Sequence, residues 1–225
     1  MYSGNLKVTL ILAAAGVGKR MGLGYPKQFL EYREKPLFIL PLEVAQKSEI
    51  IDEIIVVTNG ENIELVRNHC EKYGIKKLTK IVAGGAERQN SIYNALKCDN
   101  ESDIILVQDG VRPFFKERYI EECCKVVVEE RAGAVIGVRV KDTIKVIDEN
   151  FEVKSTPMRA NLIAVHTPQA FDGKLLKEAY ERAERDGFLG TDDSSLVERI
   201  GGRVKIVLGD YDNIKITTQE DLRFL

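Results

Sequence analysis

The 225-residue chain has no surplus of either charge: 33 Lys and Arg stand against 35 Asp and Glu, a formal net charge of −2. A dedicated nucleic-acid binder would show a basic excess, so that class is set aside, although a local basic pocket for a small anion stays open. No apolar run approaches the roughly 18 residues needed to cross a bilayer, which removes a membrane span. The four cysteines, Cys70, Cys98, Cys123 and Cys124, form no C-x-x-C pair. With no signal or transit pattern in Met1 to Lys7, they read as free thiols of a reducing compartment, and a cytoplasmic protein is expected. His69 and His166 lack a third ligand at metal spacing, which speaks against zinc. There is no G-x-S-x-G elbow and no cysteine in a nucleophile motif. No repeat, low-complexity stretch or linker divides the chain, so residues 1–225 are expected to form a single domain.

What the sequence does contain is alternation. Short apolar, β-branched runs lie at Val8 to Leu12, Ile54 to Val57, Lys80 to Ala83, Ile104 to Val107, Ala134 to Val138, Leu162 to Val165 and Val204 to Leu208. Amphipathic stretches separate them at Leu37 to Lys47, Ile63 to Tyr73, Gln89 to Leu96, Tyr119 to Glu130, Lys174 to Arg185 and Ser194 to Ile200. Continuous apolar runs suit strands buried on both faces. The pattern therefore predicts an α/β fold, a mostly parallel twisted sheet with helices on both faces. Ligands of such sheets bind beyond the carboxyl ends of the strands, which makes the residues after each strand the candidates for chemistry. Lys141 to Ala160 breaks the rhythm. Ile144, Val146, Phe151 and Val153 alternate with polar residues around Glu149 and Asn150, which predicts a protruding two-stranded arm. A lone hairpin is marginal in water, so it should pack on something, and a second subunit is the natural candidate.

After the first strand comes Ala13-Ala14-Ala15-Gly16-Val17-Gly18-Lys19-Arg20-Met21-Gly22. Small residues let backbone N–H groups approach an anion. The string fails the dinucleotide fingerprint at Met21 and the P-loop at Ala13 and Arg20, and no long helix opens before Pro26. What is left is a small-residue loop with cations: Lys19, Arg20 and then Lys27. After the fourth run, Asp109 sits in Asp-Gly-Val-Arg-Pro, where a carboxylate could hold Mg²⁺ or simply form a turn, and Arg112 could hold a phosphate or pair with a neighbouring carboxylate. Gly84 to Arg88 could approach a nucleobase or ribose through its backbone. Thr191 to Ser194 reads as a helix N-cap with acidic first-turn residues. Lys215 alternates with Ile214 and Ile216, so it points away from their face, into a site or into solvent.

Taken together, LAAAGVGKRMG, PKQFL, GGAERQNSI, DGVRPF, VKDTIK, TPQAF, TDDSS and DNIKIT resemble, in order, the 2-C-methyl-D-erythritol 4-phosphate cytidylyltransferase family, from about Leu10 to Asp221. That resemblance implies a Rossmann-like domain, CTP as substrate, a polyol phosphate acceptor, Mg²⁺ and a homodimer built through the arm. It places Arg20 and Lys27 at the transition state and Asp109 on the metal. Arg159 and Lys215 would position the methylerythritol phosphate, with Thr143, Thr191 and Arg112 assisting; Arg159 and Thr143 would serve the neighbouring subunit's site. Ala14, Ala15, Gly16, Gly84 and Ser91 would line the cytidine pocket. Ala86 departs from the family's frequent Asp. The chemistry needs cations and no base, because a phosphate monoester with a second pKa of about 6 is already largely dianionic at neutral pH. Two other readings share the fold: a ribitol 5-phosphate cytidylyltransferase, disfavoured by Ala14-Ala15-Gly16, and a non-catalytic nucleotide-binding module.

Overall fold

The computed structural model describes residues 6–16, 25–99 and 101–225. The Val17 to Gly24 part of the first loop, with Lys19 and Arg20, lies outside them. The strands are β1 (Val8–Ala13), β2 (Glu31–Tyr32), β3 (Lys35–Pro36), β4 (Glu53–Thr58), β5 (Leu78–Ala83), β6 (Ile104–Asp109), β7 (Gly133–Arg139), β8 (Val146–Ile147), β9 (Val153–Ser155), β10 (Ile163–Asp172) and β11 (Val204–Leu208). The helices are α1 (Ile39–Lys47), α2 (Ile63–Lys72), α3 (Arg88–Cys98), α4 (Glu117–Glu130), α5 (Gly173–Arg185) and α6 (Asp193–Arg199). Among the described residues, seven strands form the main sheet in the order β11-β7-β10-β6-β1-β4-β5. All its pairings are parallel except those of β10 with β6 and β7.

Side-chain alternation along a strand sorts the core into two layers. In central β1, Val8, Leu10 and Leu12 pack with Ile39 and Leu42 of α1, Val66 of α2 and Ile120 and Cys123 of α4. Ile11 faces the other way, among Ile92 of α3, Leu176 and Tyr180 of α5 and Leu196 of α6. Helices thus cover both faces, and burial on both sides explains why β1, β4 and β6 read as unbroken apolar runs.

Strand β10 extends beyond its expected run, through Thr167 to Asp172, with a register shift between Val165 and Gln169 and a cis peptide before Pro168. The irregularity turns Thr167 toward β6, where its Oγ1 accepts the Asp109 N–H at 3.0 Å. The arm carries β8 and β9, paired Val146 to Ser155 and Ile147 to Val153. Asp148 closes its turn by accepting the N–H groups of Asn150 and Glu152. Ile144, Val146, Ile147, Val153 and Met158 are exposed, and Phe151 is 82% exposed.

Candidate active site

At the carboxyl ends of β1, β4, β5 and β6 lies a crevice of about 450 Å³. Its floor is the end of β1. Ala14 N–H donates to Val57 O at 2.8 Å, and Gln28 Nε2 donates to Ala14 O at 2.7 Å, which pins the start of the small-residue loop. Ala14, Ala15 and Gly16 line the crevice, as do Ser91 and Gly85 to Arg88 after β5; Gly84, expected among them, is not a lining residue. Gly84 is required by close approach: a Cβ there would stand 2.6 Å from the Ala15 Cβ and 3.0 Å from the Ser91 Oγ. Gly85 N–H donates to Ser91 Oγ at 3.0 Å, and Ser91 Oγ donates to Glu87 O. The loop's backbone is thereby fixed before any ligand arrives.

Asp109 ends β6 at the crevice wall and is 5% exposed. Its Oδ2 is 2.9 Å from Lys215 Nζ and 3.5 Å from Arg112 Nε; its Oδ1 is 3.5 Å from Arg88 Nε. Burial alone would raise its pKa, but Lys215, Arg88 and Arg112 outweigh it and hold the carboxyl well below the usual carboxylate range. The anion is therefore permanent at neutral pH, and it is surrounded by more positive charge than it can balance.

Lys215 is placed by its own strand-like segment. Ile216 N–H donates to Val111 O at 2.9 Å and the Ile216 side chain is fully buried, which turns Lys215 the other way, into the crevice. It is an ion-pair partner, not a solvated lysine. Lys27 opens a single 3-10 turn, Lys27–Phe29, behind Pro26 at φ −66°, lines the crevice and is only 8% exposed. Arg112 stands behind Asp109, buried, donating to Asn213 O at 2.6 Å. It braces the carboxylate from behind.

Three expected residues lie elsewhere on the chain. Thr191 is exposed, just ahead of the α6 N-cap Asp192, whose side chain accepts the Ser195 N–H. Thr143 and Arg159 are exposed on the arm, where Arg159 donates to Lys141 O at 2.8 Å; neither they nor Thr191 line the crevice of their own chain. Arg20 lies outside the described residues.

Three contributors escape the sequence reading, of which Asn59 lines the crevice just after β4. Arg88, first residue of α3, lines the crevice and binds buried Asp193 through both terminal nitrogens, at 3.0 and 2.7 Å. The sequence presents Asp193 as a dipole-compensating residue of the first turn. Its spacing of three and four from Leu196 and Val197, both buried, was the available signal that it faces inward.

His166, in the β10 irregularity, is half-buried, and its pKa is pushed down to about 4 by burial and then by the Arg112 charge. The native state thus refuses a proton that the unfolded chain accepts below about pH 6.5. Stability is therefore complete above that value and declines as the pH falls toward 4. Burial and Lys72 give His69 a shift of the same sign. Tm is expected to drop between pH 7 and 4.5, less steeply in His166→Gln; parallel melting curves for variant and parent would exclude His166 as a source.

A crevice at strand ends, lined by small residues and by Lys27, Arg88 and Lys215 with the ionised Asp109, defines a nucleotide-handling α/β protein in which positive charge takes the place of a nucleophile–base pair. The profile of the 2-C-methyl-D-erythritol 4-phosphate cytidylyltransferase family matches residues 8–224. The enzyme of that name from Fusobacterium nucleatum is 54% identical over 230 residues, covering all of both chains. Its counterpart from Alkaliphilus metalliredigens is 48% identical, over 96% of this chain and 90% of its own length. The crystal structure of 4-diphosphocytidyl-2C-methyl-D-erythritol synthase from Anaerococcus prevotii superposes with a TM-score of 0.86 at 35% identity, covering 97% of this chain and 94% of that one. This chain belongs to the 2-C-methyl-D-erythritol 4-phosphate cytidylyltransferase family and is a nucleotidyltransferase.

Proposed function

We propose that the chain transfers CMP from CTP to 2-C-methyl-D-erythritol 4-phosphate and releases pyrophosphate, as one domain over residues 1–225 with an arm at about 141–160. The observation that carries this reading is the cationic crevice around Asp109, in a chain aligned to the family over nearly all its length. Ala14, Ala15, Gly16 and Ser91 receive the cytidine. A phosphate oxygen of the acceptor forms the new bond to the α-phosphorus of CTP, the bond from that phosphorus to the bridging oxygen breaks, and pyrophosphate leaves with the electron pair. The acceptor phosphate is already an anion, so no side chain removes a proton. Lys27, Lys215 and, from the loop beyond the described residues, Arg20 oppose the charge that accumulates when two anions meet. Arg112 acts through Asp109. Ala86 offers no side-chain polar group to the base, so contacts at that point come from backbone.

Mg²⁺ fits this donor set. Among the described residues no three His, Cys, Asp or Glu gather into a closed metal cage, but Mg²⁺ characteristically takes one or two carboxylates together with substrate phosphates. Asp109, ionised at the strand end, would hold the ion, which would supply further positive charge to the triphosphate.

Dimerisation through the arm is supported by its exposed apolar residues, which no described residue of the chain covers, and by the absence of arm residues from the described lining of the crevice. Thr143 and Arg159 then complete the partner's site, and Thr191 assists. A mixture of Arg159→Ala and Lys27→Ala proteins should regain activity that neither has alone, because a mixed dimer contains one intact site. No recovery despite demonstrated subunit exchange would remove the shared site. A cytoplasmic location accords with four free cysteines, of which burial pushes the thiols of Cys70 and Cys124 up to about 12. No helix among the described residues is long and apolar enough to cross a membrane.

Pyrophosphate release, measured across four nucleoside triphosphates and several polyol phosphates, tests the substrate pair. The highest kcat/KM is expected for CTP with methylerythritol phosphate. A higher value with ribitol 5-phosphate would establish the sister activity, and no release with any pair would favour the non-catalytic module.

A further inference from the structure

Both oxygens of Asp109 are taken, but by cations of different freedom. On Oδ2 stand buried Arg112, fixed in turn on Asn213 O, and Lys215, an ammonium on a flexible stem with about a third of its side chain exposed. On Oδ1 stands Arg88, and Arg88 is not free to move. Its two terminal nitrogens are forked onto Asp193, which is completely buried and also accepts the Tyr180 hydroxyl. Tyr180, on α5, stacks against Tyr93 of α3 with ring centroids 6.1 Å apart. Asp193 itself is the first residue of α6, directly after the N-cap Asp192 and inside the capping box that Asp192 forms with Ser195. Were Arg88 to swing away, a buried carboxylate would lose its counter-charge, which is a strongly unfavourable state. The planar fork also fixes the guanidinium orientation in a way that an ammonium could not.

We infer that Arg88 is a positioning residue: clamped by Asp193, it holds Oδ1 of Asp109 in place and so ties the amino end of α6 to the carboxylate at the end of β6. The chain Tyr180, Asp193, Arg88, Asp109 runs from the packed interior to the crevice wall. It gives Oδ1 a fixed contact, as Arg112 gives Oδ2, and leaves Lys215 as the exchangeable one. The inference rests on the reading that Asp109 serves the reaction.

The test is kcat at saturating Mg²⁺, CTP and methylerythritol phosphate, with Tm and circular dichroism for every protein. Arg88→Lys keeps the charge and loses the fork; Asp193→Asn keeps the shape and loses the counter-charge. Each should lower kcat by about tenfold or more with the KM for CTP changed less than about threefold, and the double variant should be no slower than the slower single, because the two residues act as one unit. Tyr180→Phe, which leaves the fork intact, should lower Tm while kcat stays within about twofold. If Arg88→Lys turns over at the parent rate, if the two substitutions multiply, or if kcat follows Tm through all four variants, Arg88 is only structural and the inference is wrong. Asp109→Asn separates this from a deeper failure: an Asp109→Asn protein with full kcat would overturn the role of Asp109 itself.

Discussion

Replacing Lys27 with alanine lowers kcat by about 10²–10³, equivalent to roughly 2.7–4 kcal/mol, with a much smaller change in KM. The size follows from how firmly the residue is held. Pro26 sets the backbone before it, Leu30 N–H closes the turn on Lys27 O at 3.1 Å, and Phe38 N–H donates to Gln28 O at 3.2 Å. The next residue but one, Phe29, packs edge-on to Phe38 with centroids 5.5 Å apart. An ammonium carried by such a frame is aimed before substrate arrives, so it needs no reorganisation when charge develops. Nearby, burial opposes ionisation of Asp221, the Thr218 and Thr217 N–H groups favour it, and Lys27 adds to their effect. Arginine should not restore the rate, because a planar fork does not reproduce a compact ammonium in a tight site. A lysine pointing into solvent would behave otherwise: exposed charge contacts are worth about 0–1 kcal/mol, and its loss would scarcely alter turnover. Steady-state kinetics on protein shown by circular dichroism to be folded separate the two cases, and near-normal kcat would take Lys27 out of the mechanism.

Asp109→Asn is expected to lower Mg²⁺-dependent turnover by at least about 10²-fold, the scale of one preorganised electrostatic contact. The substitution is nearly isosteric, and the Asp109 N–H to Thr167 bond is made by the backbone, so β6 keeps its place. The charge balance does not survive. Lys215, Arg88 and Arg112 lose the anion they share, and removing one partner from a buried ion pair typically costs about 3–5 kcal/mol. Tm should therefore fall as well, although the circular dichroism spectrum at 25 °C should be unchanged. Extra Mg²⁺ should not rescue the variant. Parent-like activity at limiting Mg²⁺ would reduce Asp109 to a turn residue.

Most of the sheet was legible because its strands are buried on both faces and its helices on one. A run such as Ile104 to Val107 carries its layer assignment in its composition, and Lys174 to Arg185 its face in its spacing. Strand β10 was legible only to Val165, because Pro168 interrupts the apolar pattern and strand continuation through a register shift leaves no periodic trace. The crevice was legible as strings after strands: Ala14 to Gly16, Asp109 and Lys215 do meet there. What the strings could not convey was pairing across the chain. Nothing local says that Arg88 and Asp193, 105 positions apart, form one fork, or that Lys215 rests on Asp109. The arm was legible as a hairpin by its alternation, while among the described residues nothing covers Phe151.

Transfer of CMP to the acceptor phosphate is observed directly by ³¹P NMR of a reaction containing the protein, CTP, Mg²⁺ and 2-C-methyl-D-erythritol 4-phosphate. The monoester resonance should disappear as a diphosphate-diester pair of resonances grows, with pyrophosphate formed in equimolar amount and no change when the acceptor is left out. CTP consumed to free CMP or CDP with the monoester intact, or no change in any resonance, would contradict it.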